Sequence, residues 1–290
     1  MQPIGFWTLV IALLGIIVAS RVLTGWAWRS RVYGPRVAGR LRDAPGTRSL
    51  WRGFARRMPR TSRWVAARVD PRVFPGLPLT LMLLLAVYLV MLGGGLVEDL
   101  LEDNELHALD ERINAALGVL RNERFVTLFG WITALGNTET LAAVTLVTVG
   151  FLRAHHRSVF IPGLLIAIIG SQLVTWAGKF LIDRDRPDFL TFAEAASPSF
   201  PSAHATGAMA VYGFIAYAIA RDLDTASKRF ELAYWAAVLI GLVAASRMIL
   251  SVHYASDVAA GLLVGGFWLL VGFAVTEMLR HRLYAESSAG

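Results

Sequence analysis

Repeated apolar runs of membrane-spanning length constrain this chain more than any other feature. They fall at about residues 4–23, 77–97, 141–152 with its flanks, 159–182, 204–220, 232–250 and 257–278. A helix needs about 20 apolar residues to cross the roughly 30 Å hydrocarbon core, and it must satisfy its backbone internally while doing so. Seven such runs predict an all-α, polytopic membrane helix bundle. Composition agrees: 56% of the 290 residues are hydrophobic and the mean hydropathy is +0.54, too apolar for an ordinary soluble domain. The first run has no basic residue before it, so it reads as an uncleaved helix rather than a secretory signal. The chain has no cysteine, which excludes disulfides, thiolate catalysis and cysteine-based zinc sites.

Charge orients the bundle. Residues 21–76 carry 14 of the 28 basic residues against two acids, Asp43 and Asp70, and prolines 35, 45, 59 and 71 divide them into short pieces. Leu50, Trp51, Phe54, Ala55 and Met58 recur at helical spacing between arginines, the pattern of a helix lying in the headgroup layer. The positive-inside rule places this segment on the anionic cytoplasmic leaflet without invoking nucleic acid. The loops 153–158 and 221–231 and the C-terminus then fall inside as well. Together these regions hold 21 basic residues, and the outside regions hold seven. The N-terminus is expected outside. Four of the seven outside cations, Lys179, Arg184, Arg186 and Arg247, break the rule where the fourth to seventh helices meet the outer face, and an anion at that face would account for them.

Several polar groups are expected to be bystanders. The acidic run Glu98, Asp99, Glu102, Asp103 and Glu105 reads as a solvated face, and His155-His156 as a cytoplasmic loop rather than a metal site. Residues 125–135 read as a short interfacial helix that turns at Gly136-Asn137.

Three clusters share the outer face: Lys179 to Arg186-Pro187, Pro201-Ser202-Ala203-His204, and Ser246-Arg247 to His253 and Asp257. Charges at membrane depth cost about 2.5–3.5 kcal/mol each on insertion scales, so they usually mark function. With a helix starting near Ser251, which is a suitable cap, His253 and Asp257 stand at i and i+4 on one face. A carboxylate against an imidazole fixes its tautomer and frees the other nitrogen to attack. Lys179 supplies a point charge, and Arg186 and Arg247 supply planar forks that grip two oxygens each. Ser202 at a helix start would aim backbone N–H groups at an anion. The set suits phosphoryl transfer, with one histidine attacking phosphorus and the other protonating the leaving oxygen.

These motifs resemble those of the type-2 phosphatidic acid phosphatases, K-x6-RP, PSGH and SR-x5-H-x3-D, over about residues 77–279. The family shares a fold core with the vanadium haloperoxidases. The resemblance implies a six-helix phosphatase core with an extra N-terminal transmembrane helix. It implies His253 as the nucleophile forming a phosphohistidine, Asp257 as its orienting partner and His204 as general acid. Lys179, Arg186, Ser202, Ala203 and Arg247 would hold the phosphate, with no metal and no cofactor. Ala203 departs from the usual glycine, and a positive φ there would cost its methyl group about 1–2 kcal/mol.

The resulting division is 1–76 for the first helix and arginine-rich segment, 77–282 for the phosphatase and 283–290 for a tail. The expected substrate is undecaprenyl diphosphate, then phosphatidylglycerol phosphate or phosphatidic acid, at the periplasmic face of a bacterial inner membrane. The partners are the lipid substrate and the bilayer, with no nucleic acid and no protein partner. Two other readings use the same residues. Asp183, Asp185 and Asp188 would hold Mg²⁺ in a prenyl or glycosyl transferase, although Arg184 and Arg186 interleave with them and repel a cation. The cations alone would serve an anionic-lipid transporter, although no internal repeat is visible.

Overall fold

The computed structural model describes residues 6–30, 54–70, 74–102, 104–187 and 197–287. Ten helices follow in order: α1 Phe6–Ser30, α2 Pro59–Arg68, α3 Leu77–Glu102, α4 Asn104–Leu117, α5 Glu123–Ala134, α6 Thr138–Ala154, α7 Ile161–Ile182, α8 Ala203–Ala220, α9 Ala226–Ile249 and α10 Ala255–Ser287. No strand occurs among the described residues. The chain is an all-α membrane helix bundle. It divides into two compact units, Trp7–Leu81 and Met82 onward.

Local chemistry sets the helix ends. The Asn122 side chain accepts from the Phe125 N–H at 2.9 Å and starts α5, and Thr225 accepts from the Lys228 N–H to start α9. α7 ends where Asp183 turns into the left-handed region at φ 47°, its N–H closing on the Lys179 carbonyl. That turn, at the C-cap of the helix carrying Lys179, redirects the chain so that Arg184 and Arg186 point back into the bundle.

Five helices, α3 and α7 to α10, are long and apolar enough to cross a membrane. The expected third span is instead a bent pair: α5 and α6 pass the same test together, with a bend of about 40° between them. By length and composition the α5–α6 pair suits a broken span or a re-entrant loop. α1 runs on through Arg21 to Ser30, and its apolar stretch is Leu13–Gly25. In the arginine-rich region, residues 54–57 are helical and α2 follows with Pro59 in its first turn; Leu50 and Trp51 lie outside the described residues. α10 continues beyond residue 282, where the tail was expected to begin.

α7, α8 and α10 form the centre. Phe160, Leu164, Ala167, Phe214, Ala218 and Leu269 are buried together there. Lipid tails are as apolar as these side chains, so helix association rests on close packing and small residues. A β-carbon on Gly163 would lie 2.4 Å from the Gly272 carbonyl, and one on Gly261 would lie 2.5 Å from the Ser202 carbonyl. Bare backbone at these two crossings lets α10 press against α7 and against the start of α8.

Candidate active site

α7 and α9 end, and α8 and α10 begin, at the same end of the bundle, and the three sequence clusters meet there. Lys179, Arg186, Ala203, His204, Arg247 and His253 all border one cavity of about 790 Å³. Ser202 and Asp257 are fully buried beside it, and the Ser202 N–H donates to the Asp257 carbonyl at 3.0 Å.

His253 is 3% exposed and lies in the turn before α10, not within the helix. The expected cap at Ser251 does not form. Ser251 instead sits at φ 55° and its hydroxyl donates to Asn114 at 3.1 Å, so the helix starts four residues later. The pairing with Asp257 survives this change: His253 Nδ1 lies 3.5 Å from Asp257 Oδ2 and 3.3 Å from the Ser199 hydroxyl. Ser199 in turn donates to Asp257 Oδ2, as does the Tyr254 N–H at 2.8 Å. On the other side of the ring, Arg186 Nη1 is 3.4 Å from Nε2. A guanidinium has only donors, so the nitrogen facing it carries the lone pair and the proton sits on Nδ1. Burial pushes the His253 pKa down to about 4, with Asp257 opposing and Arg247 and Arg186 adding to the shift.

Asp257 is itself held. Arg184 Nη1 bonds its Oδ1 at 2.7 Å and the Ser256 hydroxyl at 2.7 Å, while Nη2 bonds Asp110 Oδ2 at 2.8 Å. Asp110 also accepts from the Ser256 N–H and hydroxyl. Arg184 lies over the Tyr254 ring, 4.3 Å from its centroid. Burial works against the Arg184 charge, but Asp257 and Asp110 outweigh it and hold its pKa above the ordinary value. Among the described residues, the carboxylates that Arg184 reaches are thus Asp110 and Asp257, rather than its loop neighbours Asp183 and Asp185. Asp188 lies outside the described residues.

The facing side is less closed. His204 Nε2 is 2.9 Å from Asn137 Oδ1, and Arg247 Nη1 donates to the Thr133 hydroxyl at 2.7 Å. Both partners belong to the bent α5–α6 pair. Gly136 makes the bend fit, since a β-carbon there would lie 2.6 Å from Val243 and 3.1 Å from the His204 ring. Arg186 is fixed by the carbonyls of Ser197 at 2.9 Å and Val252 at 2.7 Å, and Lys179 by that of Pro198. Two buried donors, Ser202 Oγ and Arg247 Nε, have no hydrogen-bond partner among the described residues. Ser202 stands at the N-cap of α8, but its hydroxyl makes no capping bond. Ala203 is the first helical residue and is not among the positive-φ positions, so its methyl group carries no backbone strain.

The cavity thus gathers three cations, two imidazoles and the start of a helix. Residues 160–280 match the family model of the PAP2 superfamily. Phosphatidylglycerophosphatase B of Bacillus subtilis is 33% identical over 174 residues, covering 59% of this chain and 85% of that protein. The chain belongs to the PAP2 superfamily. A crystal structure of a transmembrane PAP2-type phosphatidylglycerolphosphate phosphatase from Bacillus subtilis shares the fold, with a TM-score of 0.61 and 27% identity over 65% of this chain and 94% of that one. As a member of this family of membrane lipid phosphatases, the protein is a hydrolase of lipid phosphate esters.

Arg184 was expected among the outer-face cations, but neither Ser199 nor Asp110 stood out in the sequence. The acids Glu98, Asp99, Glu102 and Glu105 are indeed exposed, whereas Asp110 is 1% exposed. The only sequence signal for it was its place on an amphipathic helix, which does not say which polar residue turns inward. His155 and His156 are exposed, and among the described residues no three His, Asp or Glu side chains gather as metal ligands.

Proposed function

We propose that the protein removes a phosphate group from a membrane lipid through a phosphohistidine on His253, without a metal. The observation that carries this reading is the His253 ring, with Nδ1 directed at Asp257 and Ser199 and Nε2 turned toward the cavity beside Arg186. Lys179, Arg186, Arg247 and the Ser202–Ala203 start of α8 hold the phosphate oxygens. The transferring group carries its charge on those oxygens, and preorganised donors stabilise it without reorganising. Nε2 attacks phosphorus, the bond to the lipid oxygen breaks, and His204 gives that oxygen a proton. In the second step His204 takes a proton from water as the water oxygen attacks phosphorus. The nitrogen–phosphorus bond breaks, releasing inorganic phosphate and the neutral His253 ring.

The name of the Bacillus relative favours phosphatidylglycerol phosphate, ahead of the undecaprenyl diphosphate that topology alone put first; phosphatidic acid comes next. The balance of charge between loops supports a site on the extracytoplasmic face of a bacterial inner membrane. Residues 77–282 are assigned as the catalytic part, 1–76 as an accessory membrane segment and 283–290 as a tail.

The test is phosphate release by detergent-purified protein from these three lipids, with EDTA and with vanadate. Release that resists EDTA, is blocked by vanadate and leaves an acid-labile phosphoenzyme is expected. Loss of activity in EDTA, or a phosphoenzyme that persists in His253→Ala, would overturn the mechanism.

A further inference from the structure

The cavity continues well past the phosphate end. Gln172 lines it from α7, seven residues before Lys179. Seven residues are nearly two full helical turns, so both side chains leave the same face, with Gln172 about 10 Å further along the helix axis. The wall around it is mostly apolar, with Leu141, Ala142, Ile168, Trp176 and Val211, and the Thr145 hydroxyl is spent on the Leu141 carbonyl. Beside it stands Gly207 of α8, where a β-carbon would come within 3.4 Å of Gln172 Nε2 and 2.5 Å of Leu141. The missing side chain leaves the amide room beside the α8 backbone. Among the described residues the Gln172 side chain makes no hydrogen bond, although it is partly buried. Its amide is accessible from the cavity and available to a ligand there, and at membrane depth such polar groups mark function.

We propose that Gln172 hydrogen-bonds a second polar group of the substrate, an ester carbonyl or inner phosphodiester, and so selects glycerolipid phosphates over prenyl diphosphates. This rests on the reading of the cavity's cationic end as the phosphate site. With the terminal phosphate held by Lys179, Arg186 and Arg247, a glycerolipid places its polar linkages along the wall below. The amide both donates and accepts, so it suits a carbonyl or a phosphodiester oxygen. A prenyl chain offers only carbon at that depth and leaves the amide unpaired. Sites built to hydrogen-bond a substrate discriminate strongly against analogues lacking the group, because the site's own polar atoms are then stranded.

The experiment compares kcat/KM of the full-length protein in detergent on phosphatidylglycerol phosphate and on farnesyl diphosphate, for wild type and Gln172→Met. Methionine keeps the length and fills the wall without an amide. Gln172→Met is expected to lower kcat/KM for the glycerolipid by about tenfold or more, mainly through KM, and to leave the prenyl substrate unchanged or improved. An equal fall on both substrates makes Gln172 a packing residue and overturns the inference, as does an unchanged ratio. A wild type that prefers the prenyl diphosphate overturns it as well. A wild type that releases phosphate from neither lipid defeats the hydrolysis reading itself, an outcome distinct from the others.

Discussion

The two walls of the cavity are built on opposite plans. Around Asp257 every oxygen is engaged: Oδ1 by Arg184, Oδ2 by Ser199 and the Tyr254 N–H, with Asp110 and Ser256 behind. Around His204 and Arg247 the partners are sparser, and Ser202 Oγ and Arg247 Nε stay unbonded among the described residues. A group that must present a neutral nucleophile at a fixed angle needs its surroundings satisfied before substrate arrives. A group that receives an anion needs donors still available when it arrives. Among the described residues the carboxylate wall leaves only Arg184 Nε without a partner, whereas the anion wall keeps donors open beside the cavity, so the two are complementary and each predicts a different failure when broken.

The largest effect is expected at the closed wall. His253→Ala removes the nitrogen proposed to attack phosphorus and should abolish phosphate release. Asp257→Asn keeps the shape but misdirects the tautomer and strands Arg184, and should lower kcat by about 10²–10⁴, by analogy with orienting carboxylates elsewhere. Steady-state phosphate release decides this, and a near-normal rate in either variant would show that the tight wall serves packing alone.

Arg247→Lys tests the open wall. A lysine keeps the charge but cannot place two donors in one plane, and a charge-assisted hydrogen bond contributes about 1.5–3 kcal/mol, so kcat/KM should fall about 10–100-fold. Full activity in this variant would reassign Arg247 to its bond with Thr133. The contrast sharpens if vanadate affinity falls alongside, since vanadate oxygens need the same donors.

Much of this contrast was legible in the sequence, but only on one side. The cations and histidines stood out because charge near lipid is expensive, and seven apolar runs left few other places for it. The spacing of His253 and Asp257 announced their contact, yet the helix assumed to carry both begins only at Ala255. The contact forms through a turn, so the right pair was reached by a wrong local geometry. Ser199, Asp110 and the partners of Arg184 were not legible, because Ser199 and Arg184 meet Asp257 across 58 and 73 positions, and Asp110 meets Ser256 across 146, by tertiary folding rather than by periodicity. The turn at Gly136-Asn137 was legible, but its use was hidden for the same reason: Asn137 and Thr133 look like turn and helix residues until His204 and Arg247 reach them.

The closed wall also makes a prediction about protons. Burial disfavours the charged imidazole, so His253 should stay neutral as the pH falls from 8 and gain its proton only near pH 4. In the unfolded chain a histidine protonates near pH 6.5. Between these values the unfolded state binds a proton that the folded state refuses, so acidification through that window should weaken the fold. Nitrogen-15 histidine spectra of the detergent-solubilised protein, assigned with His253→Ala, would follow the titration. A midpoint at 6 or above would mean that the ring is wetter than its surroundings imply.

The smallest effect is expected outside both walls. Residues 21–76 hold half of the basic residues of the chain, and the cavity is lined by residues of the other compact unit, between positions 136 and 253. On the orientation proposed above, their charge would answer the anionic leaflet, a long-range attraction that detergent removes along with the lipid. A chain beginning at Leu77 should therefore hydrolyse lipid phosphates in neutral detergent at the wild-type rate, while losing part of its preference for anionic vesicles. Comparing the two proteins in both settings separates membrane recruitment from chemistry. A truncated protein that keeps its helical circular dichroism and thermal transition but loses turnover in detergent would show that the catalytic walls depend on the N-terminal segment, and the division of labour drawn between walls and anchor would fail.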